Sequence, residues 1–291
     1  MLRGVRRSVS LLVVVLSGVM GACAASPTDQ FVTISDGRTL AYAIAREGDR
    51  GRVIFVHGSP AHAGSWNKLL RSQGDRLDGL EVVVVDRLGY GHSTHGTETS
   101  LEAQARAIEP LITQDAILVG HSYGGPVVLR AACDYPDRVG GIVLVAGACD
   151  PYMGDSIWFR RMVDAIAPIL PSSWGTSNRE LLALTDENQN MEPLVPSVTC
   201  PVTVIHGRWD PVCPHEGTVS YLQNALTNAK PVHIVSLSAT GHNLHLSHPD
   251  RIVDEILAIA ALGPGFSHGP ARWNTLSLDR ESRPLEPSYA R

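Results

Sequence analysis

The chain has 291 residues, 44% of them apolar, and a formal net charge of -5. That length and apolar fraction are enough for one large α/β domain with a buried core. With a mildly acidic balance and no Lys/Arg block beyond the first seven residues, the chain lacks the basic surface that a phosphate backbone demands, which excludes nucleic acid as an expected partner.

The N-terminus is set apart from the rest. MLRGVRR supplies three arginines, an apolar run extends from Val9 to Met20, and GACAAS follows with small residues and a cysteine. This is the pattern of an export signal over residues 1–22. The apolar run is well short of the ~20 residues that a membrane-spanning helix needs, so a retained span is the poorer reading. Met20-Gly21-Ala22-Cys23 resembles a bacterial lipobox, with Met20 where leucine is more usual. The resemblance implies lipidation of Cys23 and an exported chain anchored to a membrane; soluble secretion after nearby cleavage and an unprocessed chain are the alternatives. The Arg6-Arg7 pair also permits a twin-arginine route.

From Gln30 strand-like and helix-like segments alternate. FVTIS and LAYAIA, joined through Asp36-Gly37, read as a hairpin. RVIFVHG, EVVVVDRLG, AILVGHS, GIVLVAGA, VTVIHGRWD and PVHIVSL are short runs rich in valine and isoleucine, the signature of strands buried on both faces of a largely parallel sheet. Between them SWNKLLRSQGDRL, SLEAQARAIEPLIT, GGPVVLRAACDYP, HEGTVSYLQNAL and DRIVDEILAIAAL place apolar residues at helical spacing. Residues 151–199 break this rhythm and contain no convincing strand; so long a loop is improbable in a compact domain, so a small helical cap is expected there. The tail, 263–291, is polar with four prolines beyond Gly263, and disorder is expected.

Besides Cys23 the chain has Cys133, Cys149, Cys200 and Cys213. Cys133 falls in a helical pattern and reads as a small buried side chain. Cys200 and Cys213 flank one predicted strand, more than about 20 Å apart, and should not pair. Cys149 and Cys213 follow successive predicted strands, which leaves a bridge between them open.

Ser122 lies in GHSYGG, where a predicted strand meets a predicted helix. A chain with 27 glycines can produce Gly-x-Ser-x-Gly by chance, but this context is the one a nucleophile elbow requires. A serine hydroxyl is a poor nucleophile near neutral pH until a base takes its proton, and a third group must orient that base. Asp210 ends VTVIHGRWD and His242 follows VHIVSL; at the carboxyl ends of parallel strands both would emerge at the same sheet edge as Ser122. Asp210 could instead cap the following helix, and Asp150 is a rival acid one strand earlier. His245 and His248 compete with His242 for the role of base, and the spacing of three through them could also suggest a metal cluster, but no cysteine or carboxylate set completes it. For the oxyanion of a tetrahedral intermediate, the candidate donors are the backbone N–H groups of Tyr123 and Ser59, with His57 as a structural residue of that turn.

HGSP at 57–60, DRLGYGHS at 86–93, GHSYGG at 120–125, HGRWDPVCP at 206–214 and GHNLHLSHPD at 241–250 together resemble an α/β-hydrolase of the serine esterase type. The resemblance covers about residues 30–262 and implies an α/β fold with about eight mostly parallel strands, flanking helices and a short helical cap. It further implies a serine hydrolase acting on a small-molecule ester through an acyl-enzyme, with no cofactor and no metal. Related haloalkane dehalogenases and epoxide hydrolases carry aspartate where Ser122 stands. Proline iminopeptidases usually show HGGPG and GGSWG where this chain has HGSPA and GHSYG. Three alternatives stay open. An amidase or peptidase would use cap carboxylates such as Asp155, Asp164 or Glu187 to bind an amine, a binding protein would keep the fold without turnover, and a structural envelope lipoprotein would need no triad. Within the cap, Trp158, Phe159, Met162, Ile166 and Trp174 could line an acyl pocket or form the cap's own core.

Overall fold

Side-chain alternation along the central strands builds the architecture. In the computed structural model, which describes residues 27–94, 96–153 and 172–263, Val53 and Phe55 join one buried cluster while Ile54 and Val56 join the other. The same period-two division runs through Val82 to Val85, Ile117 to Val119 and Ile142 to Val145, so one sheet has a core on each face.

The sheet has eight strands: β1 (Gln30–Thr33), β2 (Thr39–Arg46), β3 (Gly48–Val56), β4 (Gly79–Asp86), β5 (Ala116–His121), β6 (Val139–Val145), β7 (Val202–Gly207) and β8 (Val232–Leu237). Their order is β1-β2-β4-β3-β5-β6-β7-β8. The β1/β2 and β2/β4 pairs are antiparallel and all others parallel. The hairpin turns where Asp36-Gly37 was expected to turn it; Gly37 has φ 84°, a value that residues with a Cβ rarely adopt.

Seven helices occur among the described residues: α1 (Asn67–Gln73), α2 (Leu101–Ile108), α3 (Gly124–Asp134), α4 (Ser172–Met191), α5 (His215–Ala225), α6 (Leu244–Ser247) and α7 (Pro249–Ala260). One sheet face is covered by α2, α3 and α5, the other by Trp66, α1 and α7. In α7 the inward stripe is Ile252, Val253, Ile256 and Ile259, which gives the helix a reason to dock along its whole length.

One expectation needs correction. VHIVSL was read as buried on both faces, but β8 is the sheet's edge and five of its six residues are half exposed. The short helix α6, which starts two residues after His242, left no mark in the periodicity. The cysteines Cys133, Cys149, Cys200 and Cys213 are free thiols. The 151–199 interval contains α4 and a 3-10 stretch, Glu192–Ser197. Residues 1–26 with Cys23, residue 95, residues 154–171 and residues 264–291 lie outside the described residues, and with them Asp155, Trp158, Phe159, Met162, Asp164 and Ile166.

One topological fact positions the site. β3 lies between β4 and β5, so successive parallel strands are added first on one side of it and then on the other. In such sheets a crevice opens at the carboxyl ends of the strands flanking the reversal. His57 to Ser59 leave β3 there, and Ser122 leaves β5.

Candidate active site

Ser122 occupies the turn from β5 to α3 with φ 53°. A left-handed backbone costs a residue with a Cβ on the order of 1–3 kcal/mol, so the surroundings must impose it. Ser122 N–H donates to the Val145 carbonyl at 3.0 Å, and its own carbonyl accepts from Gly125 and Ala148 N–H at 2.9 and 3.0 Å. Glycines supply the clearance. A Cβ on Gly120 would stand 2.2 Å from the Gly124 carbonyl oxygen, and one on Gly124 would stand 2.3 Å from that of Val56. The two outer positions of Gly-x-Ser-x-Gly are therefore glycine because backbone fills the space where side chains would go.

The three sequence-predicted residues of the triad meet. His242 Nε2 lies 2.9 Å from Ser122 Oγ, and its Nδ1 lies 2.8 Å from Asp210 Oδ2. The other carboxylate oxygen, Oδ1, accepts the N–H groups of Val212 and Cys213 at 2.8 and 2.9 Å, which locks the carboxylate plane. Burial works against the Asp210 charge, but hydrogen bonding by His206 and His242, the imidazole's field and the Cys213 N–H outweigh it and hold Asp210 well below the usual carboxylate range. An ionised carboxylate only accepts. The His242 proton therefore sits on Nδ1, and Nε2 is left to take the serine proton.

Around this axis lie His121 and Trp66, which the sequence reading passed over, and His245, which it named beside His242. His121, the residue before Ser122, donates from Nε2 to the His242 carbonyl at 3.2 Å, and its ring lies 4.1 Å from that of His245. His245 in turn packs edge-on to Trp66 at 5.6 Å. Burial foremost, and the neighbouring His242, keep both neutral: His245 is pushed down to about 4 and His121 well below the usual histidine range. The pair thus supports the His242 loop without placing a second cation beside it. His248 is half-buried, caps α7 and shares a 2.9 Å hydrogen bond with Ser247. The 242, 245, 248 spacing brings three histidines into three different jobs, and among the described residues no group of three or more His, Cys, Asp or Glu is arranged to hold a metal ion.

The rival acid, Asp150, is engaged elsewhere. Its Oδ1 accepts the Tyr152 N–H at 2.9 Å, and its Oδ2 lies so close to α5 that a Cβ on Gly217 would come within 2.3 Å. Glu187, one of the carboxylates considered for amine binding, accepts the Leu101 N–H at the start of α2 at 2.7 Å. Trp174 is half-buried in α4.

The loop after β3 supplies the second flank of the crevice. His57 is fully buried; its Nδ1 donates to the Gly58 carbonyl at 2.7 Å and its Nε2 accepts the Arg87 N–H at 3.0 Å. Burial, reinforced by the Arg87 charge, pushes it down to about 3, so it is a neutral brace for the turn, as its sequence context implied. The DRLGYGHS segment has a structural logic of its own. Asp86 accepts the Ala63 N–H at 2.8 Å on one oxygen and the His92 N–H and Thr28 hydroxyl on the other, and Gly91 is glycine because a Cβ would fall 1.9 Å from that carboxylate. Among the described residues, the Ser59 and Tyr123 N–H groups have no acceptor. Both adjoin the crevice, and Tyr123 stands at the N-terminus of α3, whose dipole favours negative charge there.

The comparisons agree with this architecture. The profile of the Alpha/beta hydrolase family matches residues 53–255. Lipase LipV of Mycobacterium tuberculosis is 30% identical over 130 residues, covering 42% of this chain and 47% of that protein. The pimeloyl-[acyl-carrier protein] methyl ester esterase of Yersinia enterocolitica is 34% identical over 112 residues, covering 38% and 42%. The chain thus spans about half the length of the curated relatives it matches. Among solved structures, an esterase from Exiguobacterium antarcticum superposes with a TM-score of 0.62 at 17% identity, covering 82% of this chain and all of that one, which speaks for the fold. Eight strands in this order, the turn that carries Ser122 and the family match over most of the sheet lead to one conclusion: the chain belongs to the alpha/beta hydrolase family.

Proposed function

We propose that the protein is a serine hydrolase that cleaves a carboxylic ester through an acyl-enzyme. One observation carries the reading: a continuous relay from Asp210 Oδ2 through His242 to Ser122 Oγ, with links of 2.8 and 2.9 Å. Ser122 Oγ attacks the ester carbonyl carbon while its proton passes to His242 Nε2, and Asp210 stabilises the imidazolium that forms. The carbonyl electrons move onto oxygen, which the Ser59 and Tyr123 N–H groups receive. Collapse of the intermediate breaks the bond to the leaving alcohol, which takes the His242 proton. Water, deprotonated by the same imidazole, then releases the acid. No cofactor enters the scheme.

Lipidation of Cys23 belongs to the same proposal. Thr28 is buried and its hydroxyl donates to Asp86 at the carboxyl end of β4, only five residues after Cys23. A fully extended tether of that length reaches about 18 Å, so an anchor at Cys23 would keep the edge that carries Ser122 close to the bilayer.

The test is labelling of residues 24–291 with a fluorophosphonate probe, beside Ser122→Ala, followed by p-nitrophenyl esters of increasing chain length. Stoichiometric labelling that the variant loses, with ester turnover, is expected. A folded wild type that neither labels nor turns over ester refutes the hydrolase reading and leaves a ligand-binding protein on this fold.

A further inference from the structure

The most heavily bonded side chain beside the crevice is one that the scheme above does not use. Arg87 follows β4, and its guanidinium is fully buried together with the Glu180 carboxylate, which comes from α4. Arg87 Nη1 donates to Glu180 Oε1 at 2.5 Å, and Nη2 to Glu180 Oε2 at 3.1 Å. The same guanidinium donates from Nη2 to Ser59 Oγ at 2.7 Å and from Nε to the His57 carbonyl at 2.9 Å. Glu180 Oε2 also accepts the Tyr90 hydroxyl at 2.7 Å and the hydroxyl of Ser59. The guanidinium carbon stands 4.8 Å from the Tyr90 ring centre and 4.5 Å from that of Tyr123.

Stability alone does not call for such a pair. Desolvating two charges is expensive, and apolar side chains of similar volume often serve as well or better. What an apolar pair cannot do is hold particular atoms by directed bonds. Here directed bonds hold the Ser59 hydroxyl and the His57 carbonyl two residues before it, and the guanidinium also stacks on the ring of Tyr123, so the pair touches both residues whose N–H groups receive the oxyanion in the proposed reaction.

We infer that Arg87 and Glu180 are a positioning pair for the oxyanion donors, through which α4 sets the geometry of the Ser59 loop. The inference rests on the ester-hydrolase reading. Donors must lie within about 2.7–3.1 Å of the oxyanion, and misplacement by about 1 Å can cost on the order of 100-fold in rate.

The test compares wild type, the double variant Arg87→Met with Glu180→Leu, and Ser59→Ala, which keeps the N–H but removes the hydroxyl that both charges grip. Melting temperature, kcat and KM for p-nitrophenyl esters, and inhibition by a trifluoromethyl ketone, whose adduct carries an oxyanion, are measured for each. The double variant is expected to melt below wild type, because it strands the His57 carbonyl and the hydroxyls of Ser59 and Tyr90, so its kinetics are measured well below its own melting temperature. Its kcat should fall about 10- to 100-fold and ketone affinity in parallel, while KM changes less than about threefold. Ser59→Ala should lose at least about fivefold in kcat and in ketone affinity. Wild-type kcat and ketone affinity in the folded double variant would overturn the inference. If the double variant does not fold, wild-type values in Ser59→Ala overturn it instead. A wild type without labelling or turnover removes the hydrolase reading itself, and the positioning role with it.

Discussion

Replacing Asp210 by asparagine changes one atom and should invert the proton pattern of the whole relay. Asp210 Oδ1 accepts two backbone N–H groups, from Val212 and Cys213, so the amide oxygen of an asparagine must occupy that position. The amide NH2 then points at His242 Nδ1, which can only accept from it. The imidazole proton is driven to Nε2, where it faces Ser122 Oγ and cannot take the serine proton. Restoring the working tautomer requires flipping the amide, which leaves two buried N–H donors against an NH2 group. At about 1–3 kcal/mol for each unsatisfied donor the flip costs roughly 4 kcal/mol, or about a thousandfold in the active population. Steady-state kinetics of Asp210→Asn with a p-nitrophenyl ester should therefore show kcat reduced about 10³- to 10⁴-fold with little change in KM. The fold should survive, because the amide keeps its partners. Activity within tenfold of wild type would refute the assignment of Asp210; Asp150→Asn, which removes no bond to His242, is expected to stay within about threefold.

Further outcomes can be checked on the same protein. Gly124→Ala forces a Cβ to within 2.3 Å of the Val56 carbonyl and should cost about 3 kcal/mol or more in urea denaturation and abolish fluorophosphonate labelling. At Gly74, where the nearest atom is 3.7 Å away and φ is -57°, alanine should be neutral or stabilise by a few tenths of a kcal/mol; equal damage at both sites would refute the clearance argument. His245 is pushed from 6.5 down to about 4 in the folded state, so the unfolded chain binds more protons between those values. Its contribution to stability is present above pH 6.5 and is lost as pH falls toward 4, amounting to about 2 kcal/mol between pH 7 and pH 5. Urea titrations of His245→Asn should show a pH dependence flatter by that amount, and an unchanged slope would contradict it. Full-length protein should incorporate labelled palmitate and fractionate with membranes, and Cys23→Ser should do neither; equal fractionation of the two would remove the lipid-anchor proposal.

Local signals in the chain were sufficient for much of this molecule. Valine- and isoleucine-rich runs bounded by turn residues locate β3 to β8, because strands in the middle of a covered sheet must be apolar on both faces, and the Asp36-Gly37 turn locates the β1/β2 hairpin. The order Ser122, Asp210, His242 could be read because each residue lies within a few positions after such a run, and parallel strands deliver their carboxyl ends to one edge. The helix α4 was legible only as an expected helical insertion. Besides Leu184 and Met191 its buried residues include Thr176, Ser177, Asn178, Glu180 and Asn188, so the apolar stripe that marks a docked helix is interrupted by polar groups. That face is satisfied by partners from remote segments: Asn188 donates to the Ala148 carbonyl and Glu180 meets Arg87. No periodicity within the helix encodes those partners. The same holds for β8, whose pattern could not say that it would lie at the edge, and for His121 and His245, whose closeness depends on the end of β5 meeting α6. Sequence alone determined which segments become strands and where the nucleophile, acid and base leave them, since burial and turn geometry act over a few residues. Only the tertiary structure decided which polar groups share a buried volume, since the cost of burying a charge is met by partners that the chain brings from far away.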